Sequence, residues 1–262
     1  MWSSQNEQDN RWVGLHAYIP VLEPYDPANA KELAQIAMEF SEKMKHPVLF
    51  RTVTRVSHTR GDQSMCATAN PPVFGKGIDR TQKRFALVPA NARKLKAELV
   101  GRWAKIEEAV EELPVKVEEG DPGLLVITSG SAFAYVMDSI KELEISPPTV
   151  INLSVPVPVQ RRKVLDLATK ANKIIVVEEG DPPVVETQIK AVLFDEGIKV
   201  PVLGKSNFVS PVGELSIDIT NSVLAGAMGI EAPPQTRDGS RIRAAPEAPS
   251  ILPRLPACRF VL

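Results

Sequence analysis

The chain has 262 residues, of which 44% are hydrophobic, and its 31 lysines and arginines almost balance its 32 aspartates and glutamates. A chain of this size can bury one large core or two small ones. The balanced charge gives no support to nucleic-acid binding. The two cysteines, Cys66 and Cys258, are too few for a disulfide framework, which favours a cytoplasmic protein. The sequence predicts neither a membrane span nor a signal peptide.

The first 60 residues are predicted to form a strand–helix–strand unit. The apolar stretch His16–Leu22 favours a strand. Asp26-Pro27 marks the start of a helix, because aspartate caps helices and proline is tolerated in the first turn. Apolar residues at helical spacing continue to about residue 45, and His46-Pro47 ends the helix. Val48–Thr54 is predicted to be a second strand that pairs parallel to the first.

The next segment has little periodicity. Residues 59–91 are interpreted as a linker in which Phe85–Val88 forms a short extended piece. Asn91 is predicted to cap a helix from Ala92 to Glu112, which Pro114 ends.

Strands and helices alternate from Gly123 to Lys205. This alternation predicts an α/β fold with a parallel sheet covered on both faces. A short helix, Asp218–Gly229, is predicted next, and the tail from Glu231, which contains six prolines and five arginines, is predicted not to pack. The predicted strands are Leu124–Thr128, Thr149–Leu153, Ile174–Val177 and Val200–Leu203, and the helices are Ser131–Leu143, Gln160–Ala171 and Val184–Glu196.

Two loops of the α/β region carry candidate site residues. Ser129-Gly130-Ser131 joins a strand to a helix and is either a tight turn, the favoured interpretation, or an anion site at the helix N terminus. Glu178–Asp181 follows the carboxyl end of a strand, where sites form in open parallel sheets. Its acidic side chains are either Mg²⁺ ligands or, more commonly, solvated surface groups.

The three histidines do not form a zinc motif. No acid or cysteine lies at ligand spacing around His16, His46 or His58. Arg51 and Arg55 precede His58 at the end of a predicted strand. These side chains are suited either to binding a carboxylate or phosphate or to structural ion pairs, and the sequence leaves both roles open.

Several segments resemble the alpha subunit of indolepyruvate ferredoxin oxidoreductase, of the 2-oxoacid:ferredoxin oxidoreductase family. SSQNEQDNR at Ser3–Arg11 and PVLFRTVTRVSH at Pro47–His58 are similar to the end of that family's pyrimidine-binding domain. Gly123–Lys205 resembles its transketolase-C-terminal-like domain. The resemblance covers about residues 3 to 230. It implies an incomplete pyrimidine-binding domain at 1–58, a linker with a helix at 59–118, a transketolase-C-terminal-like domain at 119–206 and an extension with a disordered tail at 207–262.

The resemblance also implies a reaction. The family oxidatively decarboxylates arylpyruvates to acyl-CoA with thiamine diphosphate and Mg²⁺, and passes electrons through 4Fe-4S clusters to ferredoxin. A beta subunit, ferredoxin and CoA are the implied partners. The residues that the resemblance places near cofactor or substrate are Asn6, Gln8, Asp9 and Arg11, followed by Arg55 and His58; the alternative is that they only fix a loop or a subunit interface.

The sequence departs from the family in ways that limit this expectation. The cofactor-activating glutamate of the family lies upstream of Met1, and its GDG motif lies in a domain beyond residue 230. Two cysteines cannot hold an iron–sulfur cluster. We therefore expect a truncated or frameshifted reading frame, or a split subunit, that binds no cofactor alone and needs the missing thiamine-diphosphate and ferredoxin-like domains or chains. Residues 1–60 are expected to be poorly stable alone.

Two other functions remain as alternatives. One is a non-catalytic scaffold or remnant whose α/β domain binds partner subunits. The other is a generic nucleotide-binding domain, which rests on the predicted fold alone.

Overall fold

The computed structural model describes residues 9–62 and 86–234. Within these ranges helices and strands alternate along most of the chain. The helices are α1 (Arg11–Ala17), α2 (Pro27–Met44), α3 (Thr54–His58), α4 (Pro89–Ala109), α5 (Ala132–Glu142), α6 (Arg161–Ala168), α7 (Val185–Asp195) and α8 (Ile217–Met228). The strands are β1 (Val21–Leu22), β2 (Leu49–Phe50), β3 (Val115–Glu118), β4 (Asp121–Ser129), β5 (Pro148–Leu153), β6 (Lys173–Val177) and β7 (Val202–Leu203).

The larger sheet has five strands in the order β3-β5-β4-β6-β7. Strands β5, β4, β6 and β7 are parallel, whereas β3 pairs antiparallel with β5 at one edge. Alternate residues of the central strands point to opposite faces. Helices α5 and α8 cover the face that carries Val126 and Ile175, and α6 and α7 cover the face that carries Ile127 and Ile174. The predicted α/β class is confirmed, with the addition of an antiparallel edge strand.

The strand order reverses between β4 and β6. From β4 the chain passes through α5 to β5 on one side, and then returns over β4 to β6 and β7 on the other side. In open α/β sheets a crevice forms outside the carboxyl ends of the strands at such a reversal, and ligands commonly bind there. The residues that follow β4 and β6 therefore define the first place to look for a site.

The N-terminal unit packs onto this sheet through β1. Strands β1 and β2 pair parallel, as predicted, and Asp26 caps α2 by accepting a hydrogen bond from the Asn29 amide at 2.7 Å. The Val21 amide donates to the Val157 carbonyl at 2.7 Å, and the Glu23 amide donates to the Ser154 carbonyl at 3.0 Å. These bonds fix the carboxyl end of β1 beside the carboxyl end of β5.

The two strands of the N-terminal unit are shorter than predicted. His16 lies in helix α1, and only Val21–Leu22 is extended. Helical spacing places Trp12 and Leu15 against the apolar cluster around Val21, and this packing outweighs the local preference for a strand. In Val48–Thr54 only Leu49–Phe50 pairs, because helix α3 begins at Thr54.

The middle of the chain also differs from the prediction. Helix α4 begins at Pro89, a residue favoured in the first turn, so Asn91 is not its cap; its side chain donates instead to the Ala86 carbonyl at 2.9 Å. Strand β3 was missed; it lies at the end of residues 59–118, which the resemblance had given as a linker with a helix. Residues 63–85, which include Phe85 and most of the predicted linker 59–91, lie outside the described residues, as does the tail from residue 235. The division of the chain into four segments stays a prediction.

Within the described ranges, the structure has no helix with both the length and the apolar character required to cross a membrane.

Candidate functional site

A cluster of buried charged side chains fills the crevice between the carboxyl ends of β4 and β6. We call it the buried charge cluster. Loops and strand ends from five places in the sequence contribute to it, because β1 and β2 also end there. Its members are Asp9, Arg11, Glu23, Arg51, Glu178 and Glu179, and Ser129 and Ser131 at the end of β4 contact it.

Arg11 lies at the centre of the buried charge cluster and is completely buried. Its Nη2 atom lies 2.5 Å from Asp9 Oδ2 and donates to the Glu179 carbonyl oxygen at 2.6 Å. Its Nη1 atom lies 3.0 Å from Glu178 Oε2 and 3.4 Å from Ser129 Oγ. The guanidinium therefore joins the segment before α1 to the ends of both β4 and β6, and it occupies the place where a ligand would enter a sheet of this topology.

A second buried ion pair joins the ends of β1 and β2. Arg51 Nη1 donates to Glu23 Oε1, and Arg51 Nε donates to Asn10 Oδ1 at 3.0 Å. Arg51 Nη2 and Glu23 Oε2 are buried without a hydrogen-bond partner among the residues that the structure describes. Arg51 Nη2 lies 3.8 Å from Asp9 Oδ1, and Glu23 Oε2 lies 3.9 Å from Arg11 Nη1. The two arginine–carboxylate pairs thus form one electrostatic unit.

Glu178 also caps a helix. Its Oε2 accepts hydrogen bonds from the amides of Val184 and Val185 at 3.1 and 3.0 Å, and its Oε1 accepts from the Glu186 amide at 2.8 Å. These amides begin α7, where backbone donors have no partner within the helix. Glu179 accepts from Ser131 Oγ at 2.8 Å. The interpretation of this acidic loop as solvated surface was wrong for Glu178 and Glu179, which are both buried.

The pKa values in the cluster reflect burial opposed by pairing. Burial alone would raise the pKa of Asp9, but the hydrogen bond from Arg11 and the charges of Arg11 and Arg51 outweigh it and lower that pKa. Burial and repulsion from Arg11 lower the pKa of Arg51 to about 10, although Asp9 attracts it. Burial also opposes the charge on Arg11, but Glu178 and Asp9 raise its pKa. Four carboxylates face two guanidinium groups, so the unit carries excess negative charge when all its members are ionised.

Acid is expected to destabilise the fold through Asp9 and Glu186. Burial would raise the pKa of Glu186, but hydrogen bonds from Lys190 and Ser206 outweigh burial and lower this pKa. Arg11 lowers the pKa of Asp9 in the same way. A carboxyl group with a lowered folded pKa stabilises the fold fully above its ordinary value, here 3.8 for Asp9 and 4.5 for Glu186. That contribution is lost as the pH falls through the folded pKa. Urea denaturation from about pH 7 to about pH 3 should therefore show falling stability on the acid side.

A matched variant separates the two carboxyl groups. Glu186→Gln leaves the buried charge cluster intact and should remove only part of the acid dependence. Stability that stays constant or rises toward about pH 3 would contradict this prediction.

The structure places Arg55 and His58, the second group of predicted site residues, outside the buried charge cluster. Arg55 lies on α3 with its side chain 59% exposed, and its Nε and Nη2 atoms donate to the two carboxylate oxygens of Glu214 at 2.8 and 2.9 Å. His58 is exposed at the end of α3. Since Arg51 is buried in the cluster and Arg55 pairs with Glu214, both arginines make ion pairs, which is the structural role that the sequence had left open.

A small cleft lies beside Arg55. It has a volume of about 240 Å³ and lies between the start of α2, helix α3 and helix α5. Tyr25 and Tyr135 form apolar walls, and Ser131, which also contacts Glu179, lines it. Of the predicted residues, Asp9 and Arg11 belong to the cluster, Arg55 lines this cleft, and Asn6 and Gln8 lie outside the described residues.

The remaining histidines and acidic groups do not converge on a metal centre in the described ranges. His46 is buried, its Nε2 lies 2.7 Å from the Tyr18 carbonyl, and its Nδ1 lies 3.4 Å from Arg102 Nη1. In residues 9–62 and 86–234 no group of three or more histidine, cysteine, aspartate or glutamate side chains could hold a metal ion.

Ser129-Gly130-Ser131 forms a tight turn, which was the favoured interpretation of this loop, and Gly130 adopts a φ of 55° in it.

Sequence reasoning missed Glu23. It directly follows β1, as Arg51 follows β2 and Glu178 follows β6. Polar residues at the carboxyl ends of parallel strands were therefore the available signal. The first predicted strand also ended at Leu22, so this signal was present at Glu23 in the sequence.

The chain matches several curated proteins named indolepyruvate oxidoreductase subunit IorA. It is 36% identical over 239 residues to the protein from Thermococcus kodakarensis, which covers 89% of this chain. It is 37% identical over 263 residues to the protein from Methanothermobacter marburgensis, which covers 98%. By sequence the chain is similar to part of this oxidoreductase subunit. The resemblance is confirmed, and the chain spans 37% and 41% of the length of these two relatives.

Similar solved structures include a split-gene transketolase described as an inactive β4 tetramer. Its TM-score is 0.46 at 16% identity, over 80% of this chain and 57% of that chain. A 2-oxoglutarate:ferredoxin oxidoreductase from Magnetococcus marinus, with 2-oxoglutarate, coenzyme A and succinyl-CoA bound, gives a TM-score of 0.48 at 16% identity, over 76% of this chain and 42% of that chain. No family model matches the chain.

Proposed function

We propose that this chain is part of the alpha subunit of a thiamine-diphosphate-dependent indolepyruvate (2-oxoacid):ferredoxin oxidoreductase. The observation that carries the proposal is the sequence match to IorA proteins over most of the chain. The reaction would be oxidative decarboxylation of arylpyruvates to acyl-CoA with electrons passed to ferredoxin. The proposed partners are a beta subunit, ferredoxin and CoA, and the proposed location is the cytoplasm.

The residues of this chain do not fit the family's cofactors by themselves. Iron–sulfur clusters need several closely spaced cysteines, and the sequence has two, at positions 66 and 258. Asp9 and Arg11 are turned toward each other inside the buried charge cluster, so their charged groups are already paired. We therefore propose that thiamine diphosphate with Mg²⁺ and the 4Fe-4S clusters are held by other parts of the family's enzyme, and that this chain is inactive alone.

Asp9 and Arg11 are proposed to act as positioning residues. Arg11 is held by the ends of β4 and β6, and Asp9 is held by Arg11. An ion pair of this kind fixes the backbone at residues 9–11, which directly follow the polar segment Ser3–Gln8 in the sequence. In this proposal Asn6 and Gln8 are residues near the cofactor or substrate.

Arg55 and His58 are proposed to be the second group near substrate. A guanidinium fork suits a carboxylate, and Arg55 already holds the carboxylate of Glu214 in a bidentate pair at the surface. A substrate carboxylate would have to replace Glu214. The free energy of its binding would therefore be the difference between the energies of two similar ion pairs.

A graft into a relative tests the proposed function. The segment of the Thermococcus kodakarensis protein that matches this chain would be replaced by this chain, and indolepyruvate-dependent ferredoxin reduction would be measured with the relative's other subunit. We expect activity, and we expect Arg55→Ala and His58→Ala each to lower kcat/KM by about tenfold or more. Arg161→Ala is the control, because Arg161 makes a comparable surface ion pair with Glu196.

The outcomes of the graft separate the proposals. A chimera that folds and assembles but does not reduce ferredoxin would contradict the enzymatic proposal and favour the scaffold. Equal activity of the Arg55→Ala and Arg161→Ala chimeras would contradict only the role of Arg55. The nucleotide-binding alternative predicts tight binding of a nucleotide to the isolated chain, and Arg11 in the crevice between β4 and β6 speaks against it.

A further inference from the structure

Helix α4 presents a narrow stripe of exposed residues to its surroundings. On its inner side Trp103 and Ile106 pack into the apolar cluster that also contains α2. On another side, residues three or four positions apart line up along the helix. The stripe consists of Lys94, Ala97, Gly101, Ala104, Lys105 and Glu108, all of which are exposed.

Gly101 in the middle of this stripe has no packing partner among the described residues that would explain a glycine there. Glycine destabilises a helix interior relative to alanine. A Cβ added at Gly101 would meet nothing within 4 Å among the described residues, and Gly101 is not among the glycines with positive φ. The described residues therefore require neither the small size nor the flexibility of glycine at position 101. A bare backbone at an exposed position allows a second helix to approach closely, because interaxial distance depends on the side chains at the crossing.

Two charged residues of the stripe lie at equal distances on either side of Gly101. Lys94 precedes Gly101 by seven residues and Glu108 follows it by seven, whereas Lys105 has the uncharged Ala97 as its counterpart. When two copies of α4 cross antiparallel at Gly101, Lys94 of each copy faces Glu108 of the other. A two-fold axis creates this pair twice. A parallel arrangement would instead place like charges together, so the pattern selects an antiparallel second copy.

We propose that helix α4 is an interface with a second copy of this chain, formed by an antiparallel helix pair that crosses at Gly101. The proposal rests on exposure and charge and is independent of the proposed reaction. The helix has 21 residues and is therefore about 31 Å long. A single helix pair buries less than the roughly 800 Å² per partner of a standard interface. The association should accordingly be weak, and it should weaken further with salt, which screens exposed ion pairs.

Sedimentation velocity on the full chain at low salt tests the interface. Wild type is expected to dimerise reversibly as its concentration rises toward about 100 µM, the range of weak transient contacts. K94E and E108K should each raise the dimer dissociation constant by about tenfold, since each variant places like charges across both ends of the interface. K163E is the control for net charge, because Lys163 is exposed on α6, and it should dimerise as wild type does.

Mixing the two variants gives the sharpest result. In an equimolar mixture of K94E and E108K, both cross-pairs of the heterodimer join opposite charges, so the mixture should associate about tenfold more tightly than either variant alone. G101L should also prevent association while the chain remains folded by circular dichroism. A wild-type chain that stays monomeric throughout, a K94E chain that dimerises like K163E, or a mixture that does not associate would each overturn the proposal.

Discussion

Replacing Arg11 with methionine (R11M) is expected to lower the free energy of unfolding by about 3–5 kcal/mol, the usual cost of removing one partner of a buried ion pair. Methionine fills a similar volume but leaves Asp9 and Glu178 without their guanidinium partner, and both of their side chains have 0% exposure. It also leaves the Glu179 carbonyl without the donor that now lies at 2.6 Å. Urea denaturation followed by circular dichroism at neutral pH measures the change.

The same substitution at the surface is the control for R11M. Arg161 lies 2.6 Å from Glu196, but its side chain is 41% exposed, so R161M should cost less than about 1 kcal/mol. R11K keeps the charge and loses the planar fork, so its loss should fall between the two. A loss in R11M no greater than that in R161M would show that the buried charge cluster contributes little to stability.

Glu178→Gln is expected to lower the free energy of unfolding by about 3 kcal/mol or more, because a buried group that accepts several hydrogen bonds loses both its charge and an acceptor. Both carboxylate oxygens of Glu178 face donors: Arg11 and two amides on one side, and the Glu186 amide on the other. Either orientation of the glutamine amide therefore turns an NH₂ group toward a donor. Urea denaturation gives the total effect.

Hydrogen exchange and a double-mutant cycle identify the cause of the Glu178 effect. The amides of Val184, Val185 and Glu186 should exchange faster in E178Q, since Glu178 accepts from each of them. E196Q is the matched control at the exposed pair with Arg161 and should leave these amides unchanged. The cycle that combines E178Q with R11M should show a coupling energy above about 1 kcal/mol, because the two residues share an ion pair. Additive losses would contradict that pairing.

Local signals in the sequence were sufficient for the longer elements. Asp26-Pro27 marked the start of α2, which does begin at Pro27 with Asp26 as its cap. The alternation after Gly123 predicted the order of β4 to α7, and each element exists within a few residues of its predicted range. These elements carry their own caps, breakers and apolar periodicity, so each could be predicted from a window of neighbouring residues.

Short elements were harder, because their identity depends on distant contacts. A seven-residue apolar stretch around His16 suited a strand, but packing of Trp12 and Leu15 against the cluster around Val21 makes α1 a helix. Strand β3 is four residues long and is extended because β5 pairs with it across the sheet edge. Local preference in such short segments is weaker than the tertiary contacts that override it.

The sequence by itself determined the α/β class, the order of the main elements and the related family, because each of these depends on residues close together in the chain. Only the tertiary structure decided the candidate site. Arg11 and Glu178 are far apart in the sequence, and neither has a local signal for the other. They meet because the parallel strands β4 and β6 end side by side, where burial removes water and leaves each charge dependent on the opposite charge that the fold brings beside it.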